Sequence, residues 1–149
     1  MDKPVCDHKI SSQNQPDEPI REWCYMLTHS ALIAFIATTL PEQAKAFYTE
    51  ALGMTLVDDT PFALVYNANG TMLRIQKVQA HTPASHTVLG WQVSNIREAV
   101  EKLLRCGITC ERYAGLSQDE QGIWTTPDGN RIAWFCDPDG NVLSFTEFQ

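Results

Sequence analysis

Two textures of apolar residues alternate along the chain, and their order occurs twice. The run Ala31-Leu-Ile-Ala-Phe-Ile-Ala37 is short, rich in branched and aromatic side chains, and ends at polar Thr38-Thr39, which predicts a strand. Thr39-Leu-Pro-Glu42 has the spacing of a capping box, with proline where a first helical turn tolerates it. Behind it, Ala44, Phe47, Tyr48, Ala51 and Leu52 recur at helical spacing as one apolar stripe, and Gly53 stops the helix. The second passage starts with a strand over Thr87-Val-Leu-Gly-Trp-Gln-Val93. Asn95 is placed to cap a helix, with Glu98 three residues on; Ile96, Ala99, Val100, Leu103 and Leu104 form its stripe, and Gly107 ends it. Thr39-Leu-Pro-Glu-Gln-Ala44 lies over Ser94-Asn-Ile-Arg-Glu-Ala99 without a gap.

Strands follow each helix. The first set is Thr55 to Asp59, Phe62 to Asn67 and Thr71 to Val78, with Asn69-Gly70 as a hairpin signal. The second is Thr109 to Arg112, Gly122 to Thr126, Arg131 to Cys136 and Val142 to Phe148, one strand more than the first. Asn67-Ala-Asn-Gly70 aligns with Asp137-Pro-Asp-Gly140, and each precedes a closing strand. Two helices for roughly eight strands do not fit a fold that alternates single strands with helices. The pattern predicts an α+β fold: two βαβββ modules, about residues 31–78 and 86–148, forming a curved mixed sheet that bears a cleft, with helices on the outside. They make a single domain over residues 29–149. Residues 1–28 are polar, carry three prolines in the first nineteen positions, and read as an irregular extension.

Composition narrows the function classes. A net charge of -7 repels phosphate backbones, which argues against nucleic acid as a partner. No run approaches the about 20 apolar residues that cross a bilayer, and the N-terminal stretch lacks the basic-then-apolar order of a signal peptide. Five cysteines, Cys6, Cys24, Cys106, Cys110 and Cys136, form no CxxC pair, which fits a reduced, cytoplasmic protein better than a disulfide scaffold. Cys106 and Cys110 alone do not complete a tetrahedral metal site.

Ala46-Phe-Tyr-Thr-Glu-Ala-Leu-Gly53 and Asp137-Pro-Asp-Gly-Asn141, at their places in a two-fold repeat, resemble the vicinal oxygen chelate superfamily. That group includes glyoxalase I, bleomycin-resistance proteins, fosfomycin-resistance enzymes and extradiol dioxygenases. The resemblance spans about residues 31–148. It implies paired modules around a cleft, a divalent metal in the enzymes of the group, and frequent homodimers. The metal's ligands there come from the first and last strands of each module, usually His or Glu. The matching positions here are Ile33, Arg74, Val88 and Ser144. Ile and Val cannot bind a metal, a guanidinium repels one, and a neutral serine is a poor ligand. The expected cofactor is therefore none, with a divalent metal held by shifted ligands as the alternative. His86 is the one histidine whose strand parity such a shift recruits; His8, His29 and His81 read as tail or loop.

Strand parity selects the cleft residues. Ile33, Phe35 and Ala37, then Val88, Gly90 and Gln92, then Arg74 and Gln76, then Ser144, Thr146 and Phe148 share it. Ala34, Ile36, Leu89, Trp91 and Val93 are expected under the helices. Trp134 has the parity to face either way, and Tyr66 and Trp124 read as core. The candidate ligand-binding set is Arg74, Gln76, Phe35, Gln92, Ser144 and Trp134, with no catalytic residue assigned. A guanidinium in a cleft seeks a carboxylate or phosphate, from a ligand, from an internal salt bridge, or at the water-facing rim. The segment 113–122 reads as a flap or a solvated connection. These features predict a metal-free protein that binds a small organic molecule, with an anion among the candidates, in the inter-module cleft, and the resemblance implies a homodimer. The rivals are a metal-dependent lyase, isomerase or dioxygenase of the same group, and a non-catalytic structural or regulatory dimer.

Overall fold

Alternation in the apolar runs becomes strand pairing in the computed structural model, which describes residues 27–149. The extension expected over residues 1–28 lies outside the described residues except for its last two. Residues 32–149 form one compact unit. Its elements are β1 (Ile33–Thr38), α1 (Pro41–Ala46), β2 (Thr55–Asp59), β3 (Ala63–Ala68), β4 (Thr71–Lys77), β5 (Leu89–Gln92), α2 (Ile96–Arg105), β6 (Trp124–Thr125), β7 (Arg131–Cys136) and β8 (Val142–Glu147). A π-helical turn, Phe47–Ala51, continues α1. No described helix is long and apolar enough to cross a membrane.

The strands make two four-stranded mixed sheets, ordered β1-β4-β3-β2 and β5-β8-β7-β6. In each, the first strand runs parallel to the last and the other pairs are antiparallel. The repeat extends to register. Phe35 stands beside Arg74 as Gly90 stands beside Ser144. Ile33 stands beside Met72, and the Val88 amide bonds the Val142 carbonyl at 2.9 Å. The four positions Ile33, Arg74, Val88 and Ser144 are therefore equivalent in space as well as in sequence.

The faces divide as parity predicts. Ala34, Ile36, Leu89 and Trp91 join the main core with Tyr48, Tyr66, Leu73, Ile75, Leu103, Phe135 and Leu143, so both modules share one apolar interior. Val93 packs with Ile96, Val100 and Ile123 in a smaller cluster. Full burial of leucine, isoleucine, valine and phenylalanine side chains such as Leu73, Ile75, Val100 and Phe135 is worth roughly 1.5–3 kcal/mol each. Leu104, expected in the α2 stripe, lies at its margin and is 42% exposed.

Two local expectations give way to long-range contacts. Thr39 does not cap α1; Leu40 occupies that position and supplies no side-chain bond. The Thr39 amide and hydroxyl instead donate to Asp139 Oδ1, at 2.7 and 2.6 Å. Thr109 to Arg112 is not a strand: among the described residues its one backbone bond to β7 is Glu111 amide to Trp134 carbonyl, and the Gln118 side chain takes the Glu111 carbonyl. By contrast Asn95 caps α2, accepting from the Glu98 amide at 3.2 Å, and Glu147 adds a bond from the Ile96 amide at 2.7 Å.

The turn Asp137–Asn141 joins the modules. Asp137 Oδ1 accepts the amides of Asp139 and Asn141, while Oδ2 accepts the Tyr48 hydroxyl at 2.9 Å and the Asn141 side-chain amide at 2.8 Å. Asn141 also donates to the Ala37 carbonyl of β1, and its oxygen meets His81 Nε2 at 2.7 Å. Asp139 holds the Thr38 hydroxyl and both Thr39 donors. Among the described residues, the aligned turn in the first module closes on itself, through Gly70 amide to Asn67 Oδ1. Burial, then the charge and hydrogen bond of Asp137, keep the Tyr48 phenol firmly protonated and donating.

Two outcomes follow from this clasp. Tyr48→Phe removes a donor to a buried carboxylate and is expected to cost about 1–3 kcal/mol in urea unfolding; no loss would mean the bond contributes nothing. Burial pushes the Asp139 carboxyl up, but the Thr38 and Thr39 donors, with His81 nearby, outweigh it and hold it below the ordinary value. The stability it adds is complete above its unfolded value, ~3.9, and is lost as pH falls through the lower folded value. Asp139→Asn should therefore be less stable at neutral pH and flatten the acid limb of a stability–pH curve; parallel curves for both proteins would contradict this.

Candidate functional site

Each sheet turns one face to the shared core and leaves the other open. On the first sheet the open face carries Ile33, Phe35 and Met72, which are 44%, 54% and 41% exposed. Arg74 stands in their midst, in register between Phe35 on β1 and Val65 on β3. It is half-buried, and among the described residues its guanidinium has no ion pair and no hydrogen bond. The internal salt bridge that sequence left open is thus not made within these residues. A bulge between Leu56 and Asp58 brings Val57, 62% exposed, to the edge of the same sheet.

On the second sheet the open face carries Gly90, Ser144 and Trp134 in one row. Register settles the orientation of Trp134: it lies on the Ser144 face. Its indole Nε1 donates to Thr87 Oγ1 at 3.1 Å. Trp124, expected as core, is only half-buried and stacks on Trp134 with ring centres 6.1 Å apart. Tyr113 meets Trp134 edge-on at 5.4 Å. Tyr66 is core as expected, fully buried and bonded to Thr49.

The segment 113–122 is held in place. Gln118 accepts the Tyr113 amide and donates to the carbonyls of Glu111 and Gly122, each at 2.8 Å. Arg112 donates to the carbonyls of Asp119 and Glu120, and Arg97 of α2 pairs with Asp119 at 3.0 Å. The loop is a bracket that presents Tyr113 to Trp134.

The six candidate residues fall into groups. Phe35 and Gln76 line a cavity of about 290 Å³ together with Val88, His81 and Asn141. Arg74 adjoins Phe35 on the same face. Ser144 and Trp134 are neighbours on the second sheet. Gln92 lines a separate hollow with Asn95, Glu98 and Lys102 at the start of α2. His81 was read as plain loop; its bond to Asn141 at the cavity wall depends on a turn sixty residues away, a contact without local signal.

The donor set does not fit a divalent metal. Two of the four equivalent positions are aliphatic, one is a cation and one a neutral hydroxyl. Among the described residues no group of three or more His, Cys, Asp or Glu side chains is placed to hold an ion. Cys136 lies against Glu111; burial, then that carboxylate, pushes its thiol up to about 11, so it stays protonated and un-nucleophilic at neutral pH.

A family model described as the Glyoxalase/Bleomycin resistance protein/Dioxygenase superfamily matches residues 29–145. Solved structures share the fold. A glyoxalase family protein from Bacillus anthracis superimposes with a TM-score of 0.64 and 21% identity, covering 81% of this chain and 96% of that one. A lactoylglutathione lyase from Agrobacterium tumefaciens gives 0.62 and 15%, covering 80% and 93%. TnmS3, an antibiotic binding protein from Streptomyces sp. CB03234, gives 0.60 and 21%, covering 80% and 95%. No curated protein sequence matches the chain.

Gln118→Ala tests the bracket. It should cost about 1–2 kcal/mol and abolish hydrogen-exchange protection at the Tyr113 amide; retained protection would show that the loop holds itself by other means.

Proposed function

Because the chain belongs to the glyoxalase/bleomycin resistance protein/dioxygenase superfamily, we propose that it binds a small organic anion on the open face of its first sheet, without a metal. The observation that carries this reading is the guanidinium of Arg74, which has no ion pair or hydrogen bond among the described residues and stands among Phe35, Val65 and other apolar side chains. A half-desolvated guanidinium attracts a carboxylate or phosphate more strongly than one in bulk water, and its fork matches two oxygens at once. Phe35 offers a ring for the organic part of the ligand, and Gln76, in register with Ala37, adds a polar group at the edge. The donor set at the four equivalent positions supports binding without metal chemistry. A relative of the same fold described as antibiotic binding supports a binding role for this architecture.

The exposed Ile33, Phe35, Val57 and Met72 are more apolar surface than a lone sheet face usually leaves to water. A second copy of this chain is the covering partner that this reading assigns, in a homodimer. Sedimentation at micromolar concentration reads the assembly, and a monomer removes the covering copy.

Benzoate is the probe for the anion. It should raise the melting temperature of the wild type, and Arg74→Ala should weaken it on the order of tenfold to hundredfold. Equal response in both proteins would overturn the clamp. Protein purified without chelators should carry far less than one equivalent of divalent metal, and chelation should leave its melting temperature unchanged. Stoichiometric metal with a fall on chelation would contradict the metal-free reading.

A further inference from the structure

Six asparagines occur in the chain, and Asn69 is the one followed by glycine; the others precede Gln, Ala, Ile, Arg or Val. Asn69-Gly70 is the whole loop of the β3–β4 hairpin, because Ala68 pairs with Thr71. Both loop residues take positive φ, +50° and +91°, as a tight two-residue turn requires. Both are exposed, and a Cβ built on Gly70 would meet nothing within 4 Å, so the space around its amide is open. Among the described asparagines, Asn69 is also the one whose side chain makes no hydrogen bond. Asn67 accepts the Gly70 amide, Asn95 caps α2, Asn130 binds Asp128 and the Gln149 amide, and Asn141 is enclosed in the clasp. The two Asp-Gly turns are restrained in the same way: Thr126 and Asn130 hold Asp128, and Thr38 and Thr39 hold Asp139.

We infer that Asn69 is a site of spontaneous deamidation, with water as the co-reactant, and that Asn67 sets its rate. The Gly70 amide nitrogen attacks Asn69 Cγ, an encounter that chain connectivity has already arranged. The Cγ–Nδ2 bond breaks, ammonia leaves carrying the Gly70 amide proton, and a succinimide ring remains. Water then opens either ring carbonyl, which yields aspartate or isoaspartate at position 69. Glycine favours closure because no side chain crowds the ring. One bond opposes it: the Gly70 amide donates to Asn67 Oδ1 at 2.8 Å, so the proton that must leave is held. The product adds a negative charge at the hairpin tip, beside a hollow bordered by Asn67, Gly70, Val57, Val65 and Met72. Isoaspartate also lengthens the main chain by a methylene where the ladder from Ala68–Thr71 to Val65–Arg74 begins. The chemistry needs no ligand and is independent of what the open faces bind.

The whole protein is aged at mildly alkaline pH, digested, and mapped by mass spectrometry with electron-transfer fragmentation, which separates aspartate from isoaspartate. Residue 69 should convert before any other asparagine, with isoaspartate in the product. Its rate should rise with hydroxide, because the attacking nitrogen must lose its proton. Native isoelectric focusing should show a growing band one charge more acidic. That band should be absent from Asn69→Gln, whose longer side chain closes a less favoured ring. Asn67→Ala should speed conversion by about two- to tenfold, the worth of the lost hydrogen bond. Asn67→Asp, which keeps an acceptor for the Gly70 amide, should be no faster than the wild type. An intact residue 69, another asparagine converting first, or aspartate without isoaspartate would overturn the site. An unchanged rate in Asn67→Ala would overturn the role given to Asn67. The order of conversion in the wild type decides the site even where a variant fails to fold.

Discussion

The carboxylate of Asp137 accepts four hydrogen bonds, and the relation between the two halves depends on them. Two of them shape its own turn. One draws in Tyr48 from the first module, and one orients Asn141, which then reaches the Ala37 carbonyl and His81. Removing such a charge from water is costly unless every lone pair finds a donor. Here the donors come from both modules, so the carboxylate is satisfied only when the modules are assembled. Hydrophobic burial drives association, through Tyr48, Ile75, Phe135 and Leu143 in one core. The clasp selects which assembly is reached.

A frame repeated twice then leaves two open faces to diverge. The register that pairs Phe35 with Arg74 pairs Gly90 with Ser144. One face gained an aromatic side chain beside a cation. The other has a glycine whose missing side chain leaves room for the Ser144 hydroxyl, with its aromatic ring at Trp134 on the neighbouring strand. The same geometry therefore presents two different sets of side chains, a cation beside an aromatic ring on one sheet and a hydroxyl beside a glycine on the other. Neither resembles a ligand set for a divalent ion.

What could be read from sequence is what strands and helices decide locally. Alternation placed Ala34, Ile36, Leu89, Trp91 and Val93 toward the core because side chains on a strand change face at every residue. The α2 cap at Asn95 was legible because its bond to the Glu98 amide spans three residues. The bounds of β7 were read without change, Arg131 to Cys136, between two Asp-Gly turns. The capping role of Thr39 was misread because Asp139, a hundred residues on, competes for its donors. Thr109 to Arg112 has strand-like residues, but Gln118 takes a backbone group that a ladder would have used. The facing of Trp134 waited on register, and the partnership of Trp124 and Tyr113 with it on a loop whose order comes from polar side-chain bonds. The candidate residues were legible by face but not by grouping: alternation says which side a residue takes, not which sheet neighbours it will meet.

On the proposed reading, the Arg74 guanidinium, which has no ion pair or hydrogen bond among the described residues, is held ready for an anion. Nitrogen-detected magnetic resonance of the arginine side chains during benzoate titration observes that group directly. The account predicts that the Arg74 Nε resonance shifts in a saturable way and that its N–H exchange with water slows, while those of Arg97 and Arg112, already engaged with Asp119 and its loop, stay in place. An Arg74 signal that does not move at saturating benzoate, or one already protected in the free protein, would contradict it.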